Sequence, residues 1–147
     1  MTIIQISPDL LDKIYAHGEA AYPDEGAGLL LGEVDGDVRT VKDILGLNNA
    51  RETEARHNRY LITPQELLLG EQEAIQRGLD ILGVFHSHPD HPNRPSEFDR
   101  EWAMPWFSYI ITSVQSGRAI ESRSWQLKED RSAFVEEAIQ VSQPQAG

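Results

Sequence analysis

Residues Ile81 to Phe85 form an unbroken apolar run, and His86-Ser87-His88 follows it at once. A short apolar run bounded by turn signals reads as a strand buried on both faces, which requires packed layers on either side of it. Side chains alternate along a strand, so His86 and His88 project to one side and Ser87 to the other. Two imidazoles on one face can grip a single ion. After Pro89, Pro92 and Pro95 break the chain, Ser96-Glu97-Phe98-Asp99 supplies a carboxylate eleven positions beyond His88. The loop is long enough to turn that carboxylate back toward the histidines as a third ligand.

The remaining composition narrows what such a site can be. There is no cysteine, so disulfides and thiolate metal sites are excluded and any ion must be held by imidazole and carboxylate. Lys and Arg number 13 against 24 Asp and Glu, a net charge of -11 that argues against nucleic acid or an anionic membrane as partner. No apolar run approaches the roughly 18 residues of a spanning helix, and the first residues lack a basic leader, so the expectation is a cytoplasmic protein. The 147 residues suit one domain over 1–141, with residues 142–147 as a frayed tail.

Along the chain, Ser7-Pro8-Asp9 is a helix start, with Leu10, Leu11, Ile14 and Ala21 at helical spacing and an end near Tyr22-Pro23. Ala27 to Val34 and Val38 to Leu47 read as a hairpin turning at Gly36. Residues 48–59 read as the longest loop, and residues 60–62 as a short strand. Thr63-Pro64-Gln65-Glu66 is a capping box opening a helix to about Arg77, with Leu67, Leu68, Ala74 and Ile75 as its apolar positions. A helix restarts at Ser96, with Phe98, Trp102 and Ala103 available to pack. Phe107 to Ser113 and Ile120 to Leu127 read as strands. Arg131 to Val141 fits a last helix with Phe134, Val135, Ala138 and Val141 inward. The expected fold is therefore α/β (α+β), a single domain with a central mixed sheet flanked by helices.

Each candidate residue also has a plain structural reading. A histidine at a strand end can be a polar residue at a sheet rim, and only the pair with a carboxylate at loop distance favours ligation. Ser96-x-x-Asp99 is itself a capping box and needs no metal, although a helix start would also hold the two side chains in fixed relation. Glu25, alone, is one surface acid among many. His91 should face solvent or substrate, His57 and His17 carry no functional weight, and Trp102, Trp106 and Trp125 default to core and half-buried packing.

Taken together, His86-Ser87-His88, a seven-residue gap, Ser96, two residues and Asp99 resemble the His-x-His-x7-Ser-x-x-Asp signature of JAMM (MPN+) zinc metalloproteases, in their short stand-alone prokaryotic form. The same family places a glutamate upstream in a Pro-x-Glu-x-x-Gly context. Here Pro23-Asp24-Glu25-Gly26-Ala27-Gly28 occupies that place. Short members often carry cysteine where Ala27 stands, a departure that removes no ligand. The resemblance implies a JAMM/MPN-like (cytidine-deaminase-like) layout in which His86, His88 and Asp99 bind one Zn2+. It further implies Glu25 as general acid/base and Ser96 as a hydroxyl beside the reacting carbonyl.

From the resemblance the expected activity is that of a zinc-dependent peptidase or isopeptidase. Its expected partner is a protein or peptide, with a ubiquitin-like or sulfur-carrier protein ending in Gly-Gly as the preferred class. The polyubiquitin-cleaving members add insertions for which this chain has no obvious room. Two other readings were set beside this one. A non-catalytic MPN-type scaffold would lack the ligands that this chain keeps. A zinc nucleoside deaminase expects a Cys-x-x-Cys pair, and the chain has no cysteine.

Overall fold

The computed structural model describes residues 2–47 and 62–141. Seven strands and three helices alternate along these residues: β1 (Ile3–Ile6), α1 (Pro8–Ala21), β2 (Ala27–Asp35), β3 (Val38–Leu47), α2 (Pro64–Gln76), β4 (Asp80–Pro89), α3 (Glu97–Trp102), β5 (Ser108–Gln115), β6 (Arg118–Leu127) and β7 (Phe134–Val141). The sheet is mixed and closes on itself in the order β1-β3-β2-β4-β5-β6-β7. The mixed sheet with packed helices is the expected architecture, and closure into a barrel is an addition to it. No helix among the described residues is long and apolar enough to cross a membrane.

The local signals act as read. Ser7 Oγ accepts a hydrogen bond from Leu10 N at 3.2 Å to cap α1, and Pro8 fills the first turn. Thr63 and Glu66 form a complete capping box at α2. The hairpin of β2 and β3 turns at Gly36, whose φ of 61° is open to glycine without strain. β4 lies between β2, antiparallel, and β5, parallel. Its two faces serve two cores. Leu82 and Phe85 join Ile4, Ile6, Leu10 and Ile14 on the α1 side, and Val84 joins Leu29, Leu31, Ala74 and Tyr109 on the α2 side.

Three expectations are corrected. Residues 131–141 are not a helix: Phe134–Val141 is β7, antiparallel to β6 and parallel to β1. The spacing of Phe134, Val135, Ala138 and Val141 suits a helix, but two strands with open ladder positions flank the segment and tertiary pairing wins. Thr2 and Ser124 then place hydroxyls on the buried Glu137 carboxylate, which a helix would have left without them. β1 itself was not foreseen, although Ile3, Ile4 and Ile6 carry a strand's composition. Trp102 and Trp106 are exposed, at 62% and 64%, and so are Leu68 and Ile75 of α2. The loop over 48–59, His57 and the tail over 142–147 lie outside the described residues, as do residues 60 and 61 of the short strand, while Ile62 belongs to no strand.

Candidate metal centre

The two histidines sit toward the C-terminal end of β4, with one residue between them, and are almost fully enclosed: His86 is 1% exposed and His88 6%. Enclosure follows from pairing on both sides, with Ala27 of β2 opposite His86 and Ile111 of β5 on the other flank. Asp99 arrives from α3 and is equally buried. Its Oδ2 lies 3.2 Å from His88 Nε2, and its Oδ1 3.9 Å from His86 Nε2. Glu25, from the segment leading into β2, brings Oε1 to 3.3 Å from His86 Nδ1. The structure thus gathers Glu25, His86, His88 and Asp99, which are distributed over 75 positions of sequence.

Ser96 sits at the mouth. Its hydroxyl accepts a hydrogen bond from Asp99 N at 3.1 Å, and Asp99 Oδ2 accepts one from Ser96 N at 2.8 Å, completing a capping box at the start of α3. The box that starts the helix holds the same Asp99 oxygen, Oδ2, that faces His88. Glu25, His88, His91, Pro92, Arg94, Ser96, Glu97 and Phe98 line an open cleft of about 460 Å³. His91 is exposed on its rim, as expected.

Electrostatics couples the members of the cluster. Burial pushes the Asp99 carboxyl up, but the charges of His86 and His88 and the hydrogen bonds from His88 and Ser96 outweigh it and hold Asp99 down at about 2. Burial pushes His88 down, yet the Asp99 hydrogen bond and the charges of Glu25 and Asp99 carry it above its ordinary value. Two carboxyl side chains stand around two imidazoles in a buried cluster, an arrangement that suits a divalent cation. Donor atoms of Glu25, His86 and His88 all fall within 4.8 Å of one another. Two ligands about 2.05 Å from one ion at a tetrahedral angle stand about 3.3 Å apart. The contacts from Asp99 Oδ2 to His88 Nε2 at 3.2 Å and from Glu25 Oε1 to His86 Nδ1 at 3.3 Å lie near that value, so the side chains present fit a small cation with nitrogen and oxygen ligands.

Sequence reasoning missed what aims these groups. His88 Nδ1 is 2.8 Å from Pro92 O, which fixes Nε2 as the nitrogen facing Asp99. The loop bearing that carbonyl is tied to β6: Asn93 donates to Glu121 O at 3.2 Å and Glu121 Oε1 at 3.1 Å, and Trp125 Nε1 donates to Asn93 O at 3.0 Å. Ser113 Oγ donates to His91 O at 2.7 Å. At the other end, Tyr22 OH donates to Asp90 Oδ2 at 2.6 Å, and Asp90 Oδ1 accepts from Ser116 N. Nothing in the spacing of Asn93, Trp125 or Asp90 announces these ties, because each partner lies 26 or more positions away.

Comparison with known proteins identifies the family. The family model Prok-JAB, prokaryotic homologs of the JAB domain, matches residues 7–128. A probable TtuB-protein conjugate cleaving protease of Thermus thermophilus is 30% identical over 120 residues, 80% of this chain and 74% of that protein. A CysO-cysteine peptidase of Mycobacterium tuberculosis is 27% identical across 95% of this chain and 91% of its own length. A solution structure of a Desulfitobacterium hafniense protein superposes with a TM-score of 0.84 at 32% identity, covering 96% of this chain and 94% of the other.

Proposed function

The chain belongs to the family of prokaryotic homologs of the JAB domain, and from that premise we propose that it is a zinc-dependent hydrolase of amide bonds at the C-terminus of a ubiquitin-like or sulfur-carrier protein. His86, His88 and Asp99 would hold the ion, Glu25 would act as general acid/base, and Ser96 would face the reacting carbonyl. The observation that carries the reading is the convergence of Glu25 on His86 at 3.3 Å from a different part of the chain. Two histidines and an aspartate account for binding a cation; a second buried carboxylate beside them accounts for moving a proton.

When bound, the ion would polarise the scissile carbonyl and bring the pKa of water close to 7. The chain's own groups do the rest. Glu25, enclosed at 3% exposure, takes a proton from the attacking water and returns it to the departing amine. The Ser96 hydroxyl, exposed beside Asp99, would donate to the oxygen on which negative charge develops. The open cleft admits an extended chain end, and Gly-Gly is the tail least obstructed by side chains. The relatives' names divide between a conjugated protein and a single cysteine as the leaving group, and either departs as an amine.

Against a non-catalytic scaffold stands the burial itself. Enclosing two carboxylates and two imidazoles is costly unless a cation or a reaction uses them. The test employs a carrier protein of ubiquitin fold whose Gly-Gly tail is extended by one residue. Glu25→Gln is expected to keep one zinc per chain and to lose turnover about 100-fold or more, while His88→Ala loses the zinc. Parent-like turnover in Glu25→Gln, or parent-like zinc content in His88→Ala, refutes the assignment.

A further inference from the structure

Ser87 lies between the two histidines but on the opposite face of β4, where it cannot reach the ion site. It is nonetheless 3% exposed and makes two hydrogen bonds to a single residue, Gly26. Ser87 N donates to Gly26 O at 3.0 Å, and Gly26 N donates to Ser87 Oγ at 2.8 Å. The β2–β4 ladder ends at Ala27 opposite His86. The Ser87 side chain adds one further rung beyond that end, on the residue next to Glu25.

Packing leaves this rung little freedom. A Cβ built on Gly18 of α1 would lie 3.2 Å from Ser87 Cβ, so the helix presses on the serine from behind. A Cβ built on Gly26 would lie 3.0 Å from both Ala21 Cβ and His17 Cδ2, so the peptide that Ser87 grips is also confined on its other side. The Gly26 peptide, next in the chain to Glu25, is thereby fixed to the strand that carries His86 and His88.

We propose that Ser87 is the positioning residue for Glu25: by binding both polar groups of Gly26 it fixes the acid/base against the metal-ligand strand. The inference rests on the catalytic reading of Glu25, yet its structural half can be read without any substrate. The hydroxyl acts on the proton-transferring group alone, because the ligands point to the other face.

The experiment uses Ser87→Ala in the full chain loaded with zinc, with the same Gly-Gly carrier extended by one residue. Expected are a kcat about tenfold to a hundredfold lower, an unchanged KM, an unchanged zinc affinity by chelator competition, and faster hydrogen exchange at the Gly26 amide. On the Glu25→Gln background the same substitution should add no further loss. A kcat within twofold of the parent beside an inactive Glu25→Gln overturns the inference and leaves the proposed function standing. A loss of zinc affinity parallel to the loss of kcat overturns it too, since Ser87 would then act through the ligands. Parent-like turnover in Glu25→Gln would instead remove the catalytic reading, and the Gly26 exchange rate would still report whether Ser87 holds that peptide.

Discussion

Gly83 of β4 lies directly against the backbone of its parallel neighbour, and replacing it by alanine should damage both fold and metal site. A Cβ there would stand 1.8 Å from Ser108 O and 2.7 Å from Ser108 C and N. All three are backbone atoms of the first residue of β5, so no side chain can swing aside. Ordinary carbon–oxygen contact begins at about 3.3 Å, which means the strands must part locally by about 1.5 Å. The rung pairing Gly83 with Ser108 breaks, and Ser108 is fully buried. Leaving one or two buried backbone groups without partners costs about 1–3 kcal/mol each, and the forced spreading of the core beside Val84 and Ile110 about 1–3 more. About 3–5 kcal/mol is therefore expected, a large part of the 5–15 kcal/mol typical of a domain. Urea denaturation measures it, with Gly78→Ala as control. Gly78 has φ of 68° but nothing within 4 Å of its Cβ position, so only the left-handed backbone is strained, at about 1 kcal/mol. Because His86 and His88 follow three and five residues later on the displaced strand, zinc affinity should fall at least tenfold in Gly83→Ala and not in Gly78→Ala. Equal destabilisation in the two variants would refute the reasoning.

Trp125→Phe removes the indole donor that holds Asn93 O and, through the loop, the Pro92 carbonyl on His88; zinc affinity should fall about tenfold to a hundredfold by chelator competition, and a parent-like affinity would refute the link. The metal-free chain should show its own pH dependence. The raised His88 contributes stability that is complete below its ordinary 6.5 and is lost as pH rises through its elevated value, whereas the depressed Asp99 contributes above 3.8 and is lost as pH falls through about 2. Metal-free protein should thus be most resistant to urea between about pH 4 and 6.5 and weaken toward pH 8.5. Zinc loading runs the other way, because the proton on His88 competes with the ion; a metal-free stability that rises from pH 6 to 8.5 would contradict the assignment.

What could be read from the sequence was what local geometry decides. Alternation along a strand put His86 and His88 on one face, the capping box tied Ser96 to Asp99, and proline after a hydroxyl started α1 and α2. Each of these rules acts over four residues or fewer. Phe134–Val141 shows where such rules stop: its apolar spacing fits a helix, and pairing with β6 on one side and with β1, more than 130 positions away, on the other makes it a strand. The exposed Trp102, Trp106 and Ile75 show the converse, since apolar character states a preference for burial and does not guarantee room for it.

Glu25 stands at the boundary between the two cases. On its own spacing it was one acid among 24 acidic residues; family resemblance singled it out, and the fold brings it to His86. Ser87 lies on the far side of that boundary. Alternation correctly turns its side chain away from the histidines, and from that alone it should have no part in the site. The partner that gives it one, Gly26, is 61 positions earlier, and the contact runs through a backbone amide that no residue-type pattern can display. Glu25 and the two histidines are therefore joined on the face of β4 opposite the histidine side chains: the position of Glu25 depends on a serine and a glycine peptide there. Substitutions there would leave every recognisable motif residue in place and still displace the acid from the metal.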